Sequence, residues 1–315
     1  PRIGLKKLLS KIKVNQAHTT EDDIGFMIAP RINAASRMDV PIEAFRLLST
    51  TDEKVAVELA EHLQNINDKR KGLVASMIKE ARKKLKDRKL GEVVVVGSPS
   101  WQPGVLGLVA TRLVEDFERP AFVWGEGENG ALKGSCRSDG TVNVLDVMTA
   151  VKGDIFIDVG GHEFSGGFSV YREKIHLLED GLLSAHKEVE KKDKDEEIFV
   201  DTELTLSDVS WSTYKQIEQL APFGVGNPKP TFLFKNVAIA DIKHFGKEKN
   251  HLELALGKDN GGRVPAIAFF ATVDSYKKVK LEEGEKINLI ATVEKSMFRG
   301  RGELRLRIID IQSIE

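Results

Sequence analysis

The sequence predicts an α/β fold in which a sheet with flanking helices follows a long helix and precedes an all-β barrel. Apolar residues keep a helical spacing from Asp52 to about Lys86 without an intervening proline. Strands then alternate with helices, which is typical of a sheet covered by helices, and only short strands follow Ile198. We therefore expect three regions, which are a helical region (residues 1–86), an α/β domain (residues 87–190) and a barrel domain (residues 198–315).

Composition limits the class of protein. The 315 residues are 41% hydrophobic, which is enough to bury the cores of two or three domains. The formal net charge is −1, so any nucleic-acid binding must come from local basic patches. Cys136 is the only cysteine, which excludes a disulfide framework and a multi-cysteine zinc site. No apolar run approaches the roughly 18 residues of a membrane span, and no signal peptide is apparent, so we expect a cytoplasmic protein without a membrane partner.

The first 50 residues predict short helices. Apolar residues recur at helical spacing near the start, Thr20–Asp23 resembles a helix cap, and Pro30 is expected to limit the helix that follows. Two arginines and an asparagine then stand among small residues. Either they are solvated groups of a helix cap, or Asn33 and Arg37 face a ligand phosphate.

The segment from Asp52 to Lys86 predicts one long helix. At 1.5 Å per residue it would extend about 50 Å and would act as a strut between domains. The alternative is a pair of packed helices broken at Gly72. A glycine inside a helix costs about 1 kcal/mol relative to alanine, so Gly72 does not forbid a continuous helix.

Two glycine-containing segments follow each other at predicted strand ends in the α/β region. Lys133–Ser138 combines glycine, two hydroxyls and a guanidinium, and Asp158–Phe168 places a Gly-Gly-His turn after a short apolar strand. Sheets of this kind bind ligands at strand ends, and glycine-rich turns direct N–H groups at anions. Together the segments predict a phosphate site, with a tight turn and an incidental histidine as the alternative. The candidate residues are Ser135, Arg137, Ser138, Gly160, Gly161 and His162.

A nearly fully charged run, Lys187–Glu197, predicts a solvated linker or a frayed helix end, and we place a domain boundary there. Beyond it, five short strands preceded by one helix predict a small barrel of the oligonucleotide-binding (OB) type. Alternation in the last strand places Leu304, Leu306 and Ile308 towards the core and the arginines between them outward. With the preceding turn these form a basic hairpin that could track a nucleic-acid backbone, or else an ordinary solvated hairpin. The residues of the basic hairpin are Phe298, Arg299, Arg301, Arg305 and Arg307.

Six ordered segments carry a family resemblance. They are Ile32–Met38, Leu63–Lys71, Trp101–Gly107, Gly134–Ser138, Gly160–His162 and Pro222–Pro228. Over nearly its whole length the chain resembles the RecJ exonucleases of the DHH/DHHA1 phosphoesterase superfamily. The resemblance implies a connecting helix, a DHHA1 domain with a mixed sheet, and an OB domain. It also implies 5′-to-3′ degradation of single-stranded DNA in recombination and repair.

The resemblance further implies two manganese or magnesium ions, held by a DHH domain upstream of these three regions. The present sequence starts at Pro1 without an initiator methionine and contains no Asp-His-His motif. We therefore expect that a preceding segment is missing and that this chain binds no metal. Whether the chain by itself is an enzyme is left open at this point.

Residue roles carried over from the family make Arg37, Ser135 and Arg137 contacts to DNA phosphates, and His162 the contact to the scissile phosphate. Ser36 replaces the usual glycine and Ser165-Gly166 the usual pair of alanines, so local packing is expected to differ. The chain is then the DNA-binding portion of an exonuclease. The alternatives are a non-catalytic module for single-stranded nucleic acid and another DHHA1 phosphoesterase that acts on short oligonucleotides. The expected partners are single-stranded DNA and, as a further candidate, a single-strand binding protein.

Overall fold

Two units make up the chain in the computed structural model, Pro1–Glu196 and Glu197–Glu315. The helical region and the α/β region predicted from the sequence both lie in the first unit, and their division near residue 86 stays a prediction. The structure describes residues 2–127, 130–192, 197–246, 249–258, 261–276, 279–296 and 302–314.

The first unit begins with four helices. They are α1 (Ile3–Lys11), α2 (Ala29–Met38), α3 (Ile42–Ser49) and α4 (Glu53–Leu85). The predicted cap is confirmed, because the Thr20 N–H donates to Asp23 Oδ2 at 2.9 Å and the Asp23 N–H donates back to Thr20 Oγ1 at 3.4 Å. The expectation that Pro30 limits the helix is wrong. A π-helical turn, Asp23–Ile28, leads directly into α2, and Pro30 falls in the first turn of α2, where an N–H group is dispensable.

Helix α4 is continuous over 33 residues, so the prediction of one long helix is confirmed and the pair of helices is excluded. The Asp52 carboxylate caps its first turn by accepting the N–H groups of Lys54 (2.7 Å) and Val55 (3.3 Å). A Cβ at Gly72 would meet nothing within 4 Å, so this glycine lies on an open helix face. The N-terminal half of α4 packs on α1, α2 and α3, and its C-terminal half enters the core of the α/β region.

A five-stranded mixed sheet in the order β1-β2-β3-β5-β4 forms the rest of the first unit. Its strands are β1 (Val94–Ser98), β2 (Ala121–Glu126), β3 (Leu132–Arg137), β4 (Phe156–His162) and β5 (Ser165–Val170), and its helices are α5 (Leu106–Phe117), α6 (Val144–Thr149) and α7 (Leu178–Glu188). Strands β1 and β2 are parallel and the other pairs are antiparallel. One core cluster contains residues of α6 and α7, and another contains residues of α5 and α4.

The Gly-Gly-His segment lies in strand β4, so the prediction of a turn there is wrong. Gly160 pairs with Gly167, Gly161 with Gly166, and His162 with Ser165, and the chain reverses only at residues 163 and 164. Gly161 has a φ of +152°, and a Cβ there would lie 2.4 Å from the Ser165 carbonyl oxygen. Glycine signals a turn when the sequence is considered locally, whereas here glycine-rich β5 extends the ladder.

The second unit is a closed barrel, and the predicted fold class is confirmed. Its elements are β6 (Thr202–Glu203), α8 (Trp211–Glu218), β7 (Phe232–Phe245), β8 (His251–Gly257), β9 (Arg263–Ala268), β10 (Lys286–Ser296) and β11 (Glu303–Ser313). Strands β7, β8, β9, β11 and β10 pair in that order, and β10 pairs again with β7 to close the ring. Alternate residues such as Phe234, Leu254 and Leu306 fill the interior.

Candidate nucleic-acid interface

Strand register brings the two glycine-containing segments of the first unit together. Arg137 of β3 pairs with Ser165 of β5, and Ser165 pairs with His162 of β4. Directly paired residues of an antiparallel sheet project to the same face. Arg137 and His162 therefore share one face, and Ser135, two residues before Arg137, projects on the same side. His162 is solvent-exposed there.

The Arg137 side chain is held in place within this face. Its Nη1 donates to the Cys136 carbonyl oxygen at 2.7 Å and to Ser135 Oγ at 3.3 Å. Gly107, in the first turn of α5, lies so close that a Cβ there would sit 2.8 Å from Arg137 Nη2. Burial lowers the pKa of the Arg137 guanidinium, and the positive charge of Arg37 lowers it further. Both the guanidinium and the start of a helix favour an anion at this position.

The Trp101–Gly107 segment has a structural role in this arrangement. Trp101 is buried, and its indole N–H donates to Glu80 Oε2 of α4 at 2.9 Å. The Gly104 carbonyl accepts from Arg37 Nη1 at 3.2 Å, and a Cβ at Gly104 would lie 2.1 Å from the Arg37 carbonyl oxygen. The segment thus fastens the start of α5 to α2 and α4, and it brings Arg37 near Arg137.

Two further arginines, Arg31 and Arg70, lie near Arg37 and Arg137. The sequence did not identify them as site residues. Arg31 is 6% exposed and donates to the Met27 carbonyl at 2.7 Å and to Gln64 Oε1 at 3.0 Å. Burial lowers the pKa of Arg70, and the charges of Arg37 and Arg31 add to this effect. Burial also lowers the pKa of Arg31, against an opposing effect of Asp68. We name these four residues the arginine cluster: Arg31, Arg37, Arg70 and Arg137.

The arginine cluster carries excess positive charge. Within the described ranges, none of its four guanidiniums forms a salt bridge with a carboxylate, whereas arginines elsewhere do, such as Arg82 with Asp116 at 2.7 Å. The positive charge of Arg37 acts on both Arg70 and Arg137, so these guanidiniums repel one another. A bound anion would relieve the repulsion. The arrangement is therefore suited to phosphate groups.

Two other candidate residues, Asn33 and Ser138, and one buried residue of α4 take different positions. Asn33 is exposed on α2, and its carbonyl accepts from Ser36 Oγ at 3.0 Å. The Ser138 hydroxyl donates to the Val142 carbonyl and accepts the Gly140 N–H, so this side chain stabilises the loop after β3 and is already engaged. Asn67, three residues before Arg70 on α4, is fully buried, and its amide atoms have no hydrogen-bond partner among the described residues.

On the barrel, the predicted alternation of β11 is confirmed, but Arg305 needs correction. Leu306 and Ile308 are buried. Arg305 does not extend freely into solvent, because its Nη2 lies 3.3 Å from Glu294 Oε2 and its Nη1 lies 3.2 Å from Ser296 Oγ. Glu294 of β10 is the direct cross-strand partner of Arg305, and this pairing depends on a register that one strand alone does not encode.

An aromatic surface accompanies the arginines of β11. The Arg307 guanidinium carbon lies 4.0 Å from the ring centroid of Phe269, which is close enough for a cation–π contact. The Phe269 ring also contacts Phe245 (5.9 Å between centroids) and His251 (5.3 Å). We name Phe245, His251, Phe269 and Arg307 the aromatic face. Alternation in β8 could have identified His251 as an outward residue, whereas Phe269 lies just after the end of β9.

The remaining residues of the basic hairpin, Phe298, Arg299 and Arg301, lie outside the described residues. In the described part of the chain no helix has the length and apolar character needed to span a membrane. Across the same residues, no group of three or more His, Cys, Asp or Glu side chains could hold a metal ion.

Comparison with known families identifies two domains. The DHHA1 domain model matches residues 90–188, and the RecJ OB domain model matches residues 200–310. The two matches cover the sheet of the first unit and the barrel of the second.

Comparison with curated proteins extends this similarity over nearly the whole chain. The chain is 29% identical to the single-stranded-DNA-specific exonuclease RecJ of Bacillus subtilis over 98% of its own length and 39% of that protein. It is also 29% identical to the RecJ of Haemophilus influenzae, over 100% of its own length and 56% of that protein. The chain thus spans about half the length of these relatives.

Solved structures agree with the sequence comparison. A crystal structure of RecJ from Thermus thermophilus in complex with Mg²⁺ matches 100% of this chain and 47% of that chain, with a TM-score of 0.78 and 25% identity. The Mn²⁺ complex of the same protein has the same TM-score and identity. The chain therefore contains a DHHA1 domain and a RecJ OB domain, and it is similar to the RecJ exonucleases over nearly its whole length.

Proposed function

We propose that this chain is the DNA-binding portion of a 5′-to-3′ single-stranded-DNA exonuclease that acts in recombination and repair. The arginine cluster is the observation that carries the proposal. Arg137 and Arg37 come from distant parts of the sequence and act electrostatically on one another, beside the sheet face that bears His162. A cluster of four guanidiniums without a salt bridge to a carboxylate of the described residues suits a phosphodiester backbone.

The residues of the arginine cluster, together with Ser135 and His162, have distinct roles in this proposal. Arg137 binds a phosphate of the strand through its fixed guanidinium, and Arg37 and Arg70 bind phosphates further along. Ser135 orients Arg137 and contributes a hydroxyl next to it. His162, exposed on the same face, contacts the scissile phosphate. Manganese or magnesium in the intact enzyme would supply the activated water and stabilise developing charge, and would be bound by residues of an upstream domain.

The barrel supplies a second contact to the same kind of ligand. The Arg307 guanidinium lies over the Phe269 ring, and the rings of Phe245 and His251 pack against that ring. The aromatic face therefore offers both cationic and apolar groups to the phosphates and bases of a single strand. Bases of a duplex are stacked and paired, so this face favours unpaired DNA. A single-strand binding protein as partner and a cytoplasmic location are proposals that rest on the family resemblance.

A non-catalytic module for single-stranded nucleic acid is the second candidate function. The observation that favours it is that the described residues contain no group able to hold a metal ion.

Two measurements on purified 1–315 test the proposal. The chain should bind single-stranded oligonucleotides more tightly than duplexes, and the logarithm of its affinity should fall linearly with the logarithm of salt concentration. It should not degrade DNA when manganese is added, whereas a chain extended upstream should. Equal affinity for single strands and duplexes would contradict the binding role. Manganese-dependent degradation by 1–315 that survives repurification and disappears in His162→Ala would contradict the proposal that this chain only binds DNA and that upstream residues bind the metal.

A further inference from the structure

Phe270, which directly follows Phe269, has an unusual combination of backbone and side-chain properties. Its φ is +56°, in the left-handed region that bulky L-residues rarely adopt. The side chain is nevertheless 70% exposed, so burial of the ring does not compensate for the backbone strain. A strained residue that presents a large apolar ring to solvent points to a binding role.

His251 holds Phe270 in this conformation. The Phe270 N–H donates to His251 Nδ1 at 2.8 Å, so the neutral imidazole carries its proton on Nε2. The two rings are nearly perpendicular, at 85°, with centroids 4.8 Å apart. His251 is itself fixed, because Phe245 packs on its ring and a Cβ at Gly246 would lie only 2.8 Å from its Cδ2. The direction of the Phe270 ring is therefore set before any ligand binds.

The surroundings of Phe270 indicate which ligand it takes. Arg307 covers the neighbouring Phe269 ring at 4.0 Å, and the Arg305 guanidinium lies 5.7 Å from the same ring. Arg305 is already paired with Glu294, so Arg307 is the guanidinium that matters here. An apolar peptide would gain little from it, whereas a nucleotide presents a flat apolar base together with a negative phosphate. Base–aromatic stacking does not depend on sequence, which suits a barrel that binds unpaired strands.

We propose that Phe270 is a preorganised stacking residue for an unpaired nucleobase, and that His251 is its positioning residue. This proposal rests on the proposed function, since it assigns one ring of the barrel to the bases of the bound strand. It adds the reason for the strained backbone, which aims the ring outward at the edge of the aromatic face.

Glycine and tryptophan at position 270 separate a stacking role from a structural one. Glycine adopts a φ of +56° without strain, so Phe270→Gly should melt at the same temperature as the original chain or higher, while binding a single-stranded 12-mer about tenfold more weakly. Phe270→Trp keeps a stacking ring and should bind within about twofold of the original. Phe199→Gly removes another ring of the second unit, which is 85% exposed, and should leave affinity unchanged.

Abasic oligonucleotides test whether the ring contacts a base. The original chain should lose about tenfold in affinity when one position of the 12-mer is abasic, and Phe270→Gly should lose nothing further at that position. In Phe270→Trp, binding should quench the added tryptophan fluorescence, and His251→Leu should reduce this quenching because the N–H acceptor is gone.

The outcomes separate this proposal from the proposed function. If the original chain binds single strands and Phe270→Gly binds them equally well, or weakens equally for intact and fully abasic strands, the stacking role is wrong and the DNA-binding role stands. If the original chain binds no single strand even at low salt, both are wrong. If Phe270→Gly melts at a lower temperature and Phe270→Trp also loses affinity, Phe270 is a structural residue.

Discussion

The arginine cluster and the aromatic face carry positive charge in opposite settings. In the cluster, helices α2 and α4 and strand β3 supply the guanidiniums, of which Arg31, Arg70 and Arg137 are partly or fully buried. Burial, together with the positive charge of Arg37, lowers the pKa of Arg70 and of Arg137. On the aromatic face, the Arg307 guanidinium carbon lies 4.0 Å from the Phe269 ring centroid at the barrel surface. Buried like charges are unfavourable until an anion arrives, so the cluster fits phosphate. A guanidinium beside half-buried rings, next to the exposed ring of Phe270, fits a base next to its phosphate.

The largest expected effect of a single substitution is on turnover, at Arg137. In an enzyme completed with its upstream domain, Arg137→Lys should lower turnover about 100-fold, because lysine keeps the charge but cannot form paired hydrogen bonds to phosphate. Affinity for long strands should change much less, since the barrel keeps its own contacts. Steady-state nucleotide release and oligonucleotide binding at identical salt measure the two effects.

Arg112→Lys is the matched control for this change, because Arg112 pairs with Glu115 at 2.8 Å on α5. Its turnover should equal that of the original enzyme. Full turnover of Arg137→Lys, or a loss explained by a lower melting temperature, would make Gly134–Ser138 a structural segment.

At Arg307, we expect a substitution to change strand binding more than turnover. Arg307→Ala should weaken single-strand binding about fivefold and reduce the salt slope of the logarithm of affinity by about 0.7, the value for one phosphate contact on a single strand. Turnover on short substrates should stay nearly unchanged. Binding titrations between about 50 and 200 mM salt measure the slope. Lys280→Ala, which removes a surface lysine paired with Glu282 at 2.9 Å, is the control. An unchanged slope in Arg307→Ala would show that Arg307 contacts no phosphate and that β11 belongs to an ordinary solvated hairpin.

The first unit should also lose stability in acid. His186 of α7 is buried, and burial lowers its pKa below the ordinary 6.5, with Lys191 adding to this effect and Glu92 and Asp139 opposing it. The unfolded chain therefore takes up a proton first as pH falls through about 6.5, which favours unfolding. The loss should stay below about 1 kcal/mol between about pH 7 and pH 6, given a maximum of about 1.4 kcal/mol per pH unit.

Chemical unfolding at several pH values tests this, with His186→Gln as the variant and His176→Gln, an exposed histidine, as the control. The pH dependence should flatten in His186→Gln alone. The same pH dependence in the original chain and His186→Gln would show that another group is responsible.

The smallest effect concerns the repulsion within the arginine cluster. A lowered pKa means that folding disfavours the charged form of Arg70, so Arg70→Met should raise stability by about 0.5 kcal/mol, a value kept small because solvent screens this partly buried site. The same variant should bind single strands more weakly. Arg82→Met, which breaks the 2.7 Å pair with Asp116, should instead lose up to about 1 kcal/mol. Arg70→Met that is less stable than the original would contradict the repulsion.

Several features followed from local sequence alone. Apolar spacing predicted α4 as one helix, because Gly72 costs too little to interrupt 33 residues. Alternation predicted the strands of the barrel, since a strand with one face in the core must bury every second residue. Arg137 and His162 were identified as partners from their chemistry and from the family resemblance before their shared sheet face was known.

Other features were decided only by the tertiary structure. In the sequence, Arg31 and Arg70 look like ordinary helical arginines. Only the packing of α2 on α4 brings them together in the arginine cluster. Arg305 is paired with Glu294 because β10 and β11 meet in one particular register, and Phe270 is strained because His251 of another strand accepts its N–H. Periodicity is a property of neighbours along the chain, whereas charge repulsion, cross-strand pairing and backbone strain depend on residues that only folding brings together.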